Sequence, residues 1–481
     1  MKHTLQFSRL LCLALVATFV VTGCVRNPVT GRLQLALITE AQEIQMGQEG
    51  AGQVERMLGL VPDPALQSYV QTLGQAMAEA SERPALPWRF GVVDDPTPNA
   101  FALPGGFIYF TRGMLGLMNS EAELATVLGH EIAHVTARHQ VTQISRAQVL
   151  QAGMGLGGLL FPELEQLGGV VGVGMSLLFL RYSRDMERQA DDLGFGYALD
   201  QGYDVREMAR VFAALGRLGG ERQSAVPSWL QTHPLPAERI AAIDERVAAM
   251  EPLPPGLRVG RDAYLDRIDG LVYGVNPRNG IFRDGLYMHP DLAFQFALPD
   301  SWPRQNLAQV VMAVSPREDA ALQLTLRGEP SPDAAAEAFL RQQGVQTLET
   351  RRRTINGLPA VVASFRAETP QTVLQGLTGF IAYENRIYQI LGYSLVGAYR
   401  EYEATFQQSI GSFTRLADPA VLALQPNRIR LVRIGERMTL AEFDRRYPSA
   451  IPVAELAVIN GVPGPETVLP AGTRVKRIVQ G

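Results

Sequence analysis

Five residues, His130-Glu131-Ile132-Ala133-His134, place two imidazoles and a carboxylate at a spacing that can do chemistry. Positions i and i+4 share one helix face, so His130 and His134 can turn ring nitrogens towards one cation. Glu131 lies about 100° around the helix from His130, within reach of a water beside that cation. These are the parts for metal-assisted hydrolysis of a peptide bond, with one zinc ion as the metal and Glu131 as the general base. Ser120 followed by Glu123 reads as a capping box that starts the helix. From there Ala122, Leu124, Ala125, Val127, Leu128, Ile132, Val135 and Val141 make a long, heavily apolar helix. The polar trio on such a helix needs partners, because burying it alone is costly.

A pattern of the HExxHxxGxxH type would need glycine at 137 and histidine at 140, and the chain has Ala137 and Gln140. His139 falls about 140° around the helix from His134 and is read as structural or supporting. The third ligand must come from elsewhere, and Glu187 is the best candidate. Met186, Ala190, Leu193 and Tyr197 form an apolar stripe at helical spacing, and Glu187 and Asp191 lie beside it, facing inward. Asp185, Arg188 and Asp192 turn outward. Asp191 suits a partner that accepts a hydrogen bond from a ligand histidine and fixes its tautomer.

Taken with Asn99-Ala100-Phe101-Ala102-Leu103-Pro104-Gly105-Gly106 and with Asn27-Pro28-Val29-Thr30-Gly31-Arg32, these motifs resemble the gluzincin family of the CAAX prenyl proteases, BepA, HtpX and Oma. The resemblance runs from residue 27 to about residue 250. It implies that His130, His134 and Glu187 bind zinc and that Glu131 is the base. It also implies that the strand around Asn99, Ala100 and Phe101, interrupted at Gly105-Gly106, holds substrate as an added strand. Backbone pairing of that kind favours unfolded chains with loose sequence preference; the residues alone fit an ordinary core hairpin equally well. In such relatives a histidine matching His233, in Thr232-His233-Pro234, can approach the zinc as a plug, and Arg239 can serve an oxyanion or substrate.

Ahead of this domain, Lys2 and Arg9 precede an apolar run from Leu10 to Val21 that ends Val21-Thr22-Gly23-Cys24. This reads as a signal peptide over 1–23 with a bacterial lipobox, and hence a lipid on Cys24. With no Asp after Cys24, the expected location is the outer membrane, facing the periplasm, with the membrane as a partner through two or more acyl chains. The cysteines are Cys12 and Cys24, so the mature chain has no disulfide. Without residues 1–23 it holds 42 basic and 48 acidic residues, a balance of −6, which gives no reason to expect nucleic acid.

The expected fold class is multidomain. A mainly α-helical zincin peptidase domain with a small sheet spans 24–251, and a linker 252–282. An α+β sandwich of binding or docking type spans 283–418, and a small βααβ module resembling LysM spans 427–479. Within the first domain, Thr39–Leu58 and Pro64–Glu82 read as amphipathic helices. The glycine-rich apolar stretch from Gly153 to Leu180 reads as a buried helix, a flap or a membrane-touching segment; its second run, Val170 to Leu180, is 11 residues, too short to span a bilayer as a helix. Pro299-Asp300-Ser301-Trp302 resembles the start of PsbP/Mog-type domains. The LysM resemblance implies peptidoglycan as a partner, with a departure at Gly435-Glu436-Arg437-Met438. Together these features point to a zinc endopeptidase that degrades misfolded or unassembled envelope proteins, latent if His233 plugs the site. The alternative is a chaperone-like or peptidoglycan-anchored scaffold with little proteolysis.

Overall fold

In a computed structural model, the chain is described over residues 24–154, 181–220, 229, 232–233, 237–368 and 372–481. The expected signal peptide, the apolar stretch 155–180 and Pro234 lie outside these residues.

Two short strands, β1 (Cys24–Arg26) and β2 (Leu33–Leu35), pair antiparallel. The Asn27 side chain shapes the turn between them: its Oδ1 accepts from Val29 and Thr30 N–H, and its Nδ2 donates to Ala137 O. Helix α1 (Glu40–Leu58) starts at a Thr39/Gln42 capping box, and α2 (Pro64–Glu79) at Asp63 with proline at its first turn. A three-stranded sheet follows in the order β3 (Arg89–Val93), β5 (Phe107–Thr111), β4 (Ala100–Leu103). Strands β3 and β5 are parallel, and β4 lies antiparallel on the outside. The turn between β4 and β5 needs Gly105 and Gly106, both at positive φ.

Helix α3 (Arg112–Leu117) leads to α4 (Glu121–Thr136), which carries the HExxH residues. Ser120 caps α4 through Glu123 N–H, but the Glu123 carboxylate reaches back to Asn119 N–H rather than to Ser120, so the expected box is only half formed. The long helix expected through Val141 is broken. Arg138 adopts φ 56°, and α5 (His139–Met154) starts afresh after it. Buried ion pairs hold the break: Arg83 Nη1 donates to Glu43 Oε1 at 2.7 Å and to Val135 O, and Arg138 donates to Glu43 Oε2 and Ile38 O.

Helices α6 (Arg184–Asp200), α7 (Glu207–Gly220) and α8 (Ala237–Ala249) pack around α4 and one another. The stretch 252–282, expected as a linker, is instead largely integrated. It contains α9 (Arg261–Ile268), with Tyr264, Leu265 and Ile268 buried in the peptidase core.

Beyond it, a four-stranded sheet pairs β6 (Ile281–Arg283), β7 (Leu286–His289), β8 (Phe294–Ala297) and β16 (Thr414–Arg415). A seven-stranded antiparallel sheet runs β12-β13-β14-β15-β11-β10-β9. Its strands are β9 (Arg304–Asn306), β10 (Val310–Val314), β11 (Ala320–Arg327), β12 (Val345–Ile355), β13 (Leu358–Glu368), β14 (Val373–Tyr383) and β15 (Arg386–Leu395). Helices α10 (Pro332–Leu340) and α11 (Tyr399–Gly411) lie against this sheet. The short α12 (Pro419–Leu422) leads out of this region.

The tail runs β-β-α-α-β-β, two short strands more than the expected β-α-α-β. Its elements are β17 (Asn427–Arg433), the two-residue β18 (Met438–Thr439), α13 (Leu440–Arg446), α14 (Val453–Ile459), the two-residue β19 (Val468–Leu469) and β20 (Arg474–Gln480). It is not a free module. Ile429, Phe443, Leu456, Ile459 and Ile478 share one hydrophobic core with the peptidase residues. Gly270 N–H donates to Ile429 O and Tyr273 N–H to Asn427 O, so the segment after α9 extends the β17–β20 sheet.

Candidate metal centre

Helices α4 and α6 cross where both have glycine. A Cβ at Gly129 would lie 2.7 Å from Gly194 O, and one at Gly194 would lie 2.6 Å from His130 N. This close approach brings Glu187, one turn into α6, beneath the histidines of α4. His130, Glu131 and His134 are fully buried, and His233 and Glu187 are 1% and 2% exposed.

Four donors converge: His130, His134, Glu187 and His233 offer ligand atoms all within 4.8 Å of one another. His130 Nε2 is 3.1 Å from His134 Nε2 and 3.3 Å from His233 Nδ1. Glu187 Oε1 is 3.0 Å from His233 Nδ1 and 3.6 Å from His134 Nε2, and Oε2 is 3.7 Å from His130 Nε2. Tetrahedral donors bonded to zinc at about 2.1 Å stand ~3.4 Å apart, so this set fits zinc in both spacing and chemistry.

Asp191 and Arg239 support the ligands. Asp191 Oδ1 stands 3.0 Å from His130 Nδ1, which leaves Nε2 turned to the donor cluster. Arg239, on α8, donates twice to Asp191 at 2.7 Å, and its Nη1 lies 2.8 Å from Glu187 Oε2. It is 4% exposed and lies over the Phe212 ring. The guanidinium thus pins the two acids.

Burial works to raise the Glu187 carboxyl, and His233, His130 and Arg239 outweigh it, holding the group below the usual range. Asp191 is likewise lowered, with hydrogen bonds from His130 and Arg239 overcoming burial. Burial and the neighbouring histidines depress His134 well below the ordinary histidine value. Glu131 is pushed up to about 7 by burial, with Glu187 adding to the rise and His130 opposing it.

Of the other expected residues, Asn99, Ala100 and Phe101 lead into and form β4, which is one of the two outer strands of its sheet and packs against α4. Gly105 and Gly106 form the turn beyond it, and Cys24 opens β1. His139 is not among the converging donors but touches one of them. Several aromatic neighbours escaped sequence reasoning. Tyr182 lies over His134 with ring centroids 3.9 Å apart, and Trp229 stacks on His233 at 5.0 Å and 17°. Phe212 stands edge-on to His130. None has a spacing signature that would have revealed it.

Residues 64–247 match the model of Peptidase family M48. The chain is 36% identical over 180 residues to the mitochondrial metalloendopeptidase OMA1 of Arabidopsis thaliana, covering 36% of this chain and 35% of that one. It is 27% identical over 277 residues to the beta-barrel assembly-enhancing protease of Escherichia coli (strain K12), covering 56% and 53%. With the corresponding protein of Yersinia pestis it shares 30% identity over 230 residues, 46% of each chain. The chain thus spans about half the length of these bacterial relatives. The HExxH helix, the distal glutamate and the matched residues agree: residues 64–247 form a domain similar to peptidase family M48.

Proposed function

We propose that this chain is a zinc-dependent endopeptidase of the bacterial envelope that acts on misfolded or unassembled proteins and rests in a latent form. The observation that carries the reading is the convergence of His130, His134, Glu187 and His233 beside the buried Glu131. When bound, zinc supplies a Lewis acid that polarises a carbonyl and acidifies water. The chain's own residues do the rest. His130, His134 and Glu187 hold the metal, and Asp191 and Arg239 orient them. Glu131 takes the proton from the attacking water and passes it to the leaving amine. Strand β4, at the outside of its sheet, offers backbone groups to an extended substrate.

The test compares wild type with Glu131→Gln for casein cleavage, with and without a zinc chelator. Loss of the general base should lower the rate by roughly 10²–10⁴-fold, and chelation should abolish wild-type cleavage. Equal cleavage by the two proteins would sink the mechanism and favour the scaffold reading.

The lipobox resemblance supports tethering through Cys24 to the outer membrane, and the βααβ tail makes peptidoglycan a candidate partner. Fractionation tests both. Wild type should pellet with membranes, whereas Cys24→Ser should be released yet still sediment with purified peptidoglycan. A Cys24→Ser chain that stays with membranes, or one that ignores the wall material, would remove the corresponding partner.

A further inference from the structure

His130 and His134 are oriented by different devices. For His130 the device is a carboxylate, Asp191. For His134 it is a second imidazole: His139 Nδ1 lies 3.0 Å from His134 Nδ1, and His139 Nε2 lies 3.1 Å from Gln189 Oε1. His139 is 2% exposed. It stands there because the chain breaks at Arg138, which turns the first residue of α5 back onto α4. Gln189 lies on α6, two residues after Glu187, so the same helix supplies a ligand and the far end of this chain of contacts.

A neutral imidazole has one donor and one acceptor nitrogen, so a line of such contacts has only two directions. In one, His139 Nε2–H donates to Gln189 Oε1, His134 Nδ1–H donates to His139 Nδ1, and the His134 Nε2 lone pair is left for a cation. In the other, the Gln189 amide donates to His139, His139 donates to His134, and His134 Nε2 keeps a hydrogen directed at His130 Nε2, 3.1 Å away. Only the first direction is compatible with a metal. The Gln189 Nε2 group makes no hydrogen bond among the described residues, and its oxygen is the atom that faces His139.

We propose that His139 and Gln189 are positioning residues that hold the hydrogen of His134 on Nδ1 and so present its Nε2 to the metal. The inference rests on the zinc reading above. It is tested on the full chain by chelator competition for zinc, together with ¹⁵N-histidine NMR of the loaded protein. His139→Leu, which fills the space but accepts nothing, should weaken zinc binding roughly 10–100-fold. His139→Asn, which restores an acceptor oxygen, should stay within about threefold of wild type. The wild-type spectrum should show His139 with its hydrogen on Nε2 and a nitrogen–nitrogen coupling across the His134–His139 bond. Zinc binding by His139→Leu as tight as wild type, equal losses in Leu and Asn, or His139 carrying its hydrogen on Nδ1 would each overturn the proposal while leaving the zinc site standing. A wild-type chain that binds no zinc would overturn the metal reading and this one together.

Discussion

His233 occupies two positions at once. Its Nδ1 faces Glu187 and His130 in the donor cluster, while its Nε2 is 3.8 Å from Glu131 Oε1. One ring therefore fills the fourth donor position and stands over the base, where an attacking water and a substrate carbonyl would have to sit. Trp229, stacked on the ring, and a hydrogen bond from His233 N–H to Trp229 O keep it there. If the resting chain is closed in this way, only the fraction with His233 withdrawn binds substrate, and apparent activity is reduced by that fraction. His233→Ala should retain zinc on His130, His134 and Glu187 and should raise casein cleavage several-fold; unchanged or lower cleavage would count against the plug. At this scale the sequence was readable where chemistry imposes a period. The i, i+4 histidines and the stripe beside Glu187 are such cases. The aromatic residues Tyr182, Phe212 and Trp229 reach the site from unrelated separations and leave no pattern along the chain.

The site depends on how closely α4 and α6 approach, and Gly129 and Gly194 set that distance. A methyl group at 194 would meet His130 N at 2.6 Å and Gly129 C at 2.8 Å, both backbone atoms that cannot swing aside. Gly194→Ala should therefore force the helices apart, cost about 1–3 kcal/mol of stability and weaken zinc binding. Gly196, on the same helix, has nothing within 4 Å of an added Cβ, so Gly196→Ala should leave the site intact. Thermal melts and zinc titration of the two variants check this, and equal behaviour would show that the crossing has slack. Amphipathic elements such as α1, α2 and α6 were legible because one face of each is buried. The break at Arg138 was not, because Glu43, 95 positions away, compensates its positive φ, and a window along the sequence cannot contain that partner. Strand β12 leaves no trace along the sequence for a related reason. Thr347 to Thr354 is exposed throughout, so it lacks the alternation of a half-buried strand, and its backbone is held by pairing with β13.

At the scale of the molecule, the tail closes the same core that houses the metal centre, and one lysine marks the joint. Lys476, on β20, is fully buried with its Nζ near three carbonyls at the end of α3, Met118 O at 2.8 Å, Gly116 O at 2.9 Å and Leu117 O at 3.3 Å, and the two hydrogens of a neutral amine suffice for the two shorter contacts. The sequence showed Lys476 as the sole lysine beyond the signal region but gave no hint that the tail would dock, since its apolar residues serve a small module and an interface equally well. Burial pushes the Lys476 amine down to about 7, with Glu123 pulling up and Arg261 pushing down. Burial likewise pushes Glu123 up to about 7, with Glu207 adding to the rise and Asn119 N–H, Lys476 and Arg261 opposing it. The two groups act in different windows. Above pH 7 Glu123 is ionised both in the folded chain and in the unfolded one, so it contributes no slope. Lys476 there binds a proton in the unfolded chain but not in the folded one. Stability therefore rises with pH from about 7 towards ~10, where the tyrosines begin to ionise, and is lost as pH falls back through the folded value. In metal-free buffer the wild-type Tm should climb across that interval, whereas Lys476→Met, which has no proton to exchange, should stay nearly flat. Parallel curves for the two proteins would mean that the lysine is charged in the folded state and that the joint between tail and peptidase core is held by an ion rather than by a neutral amine.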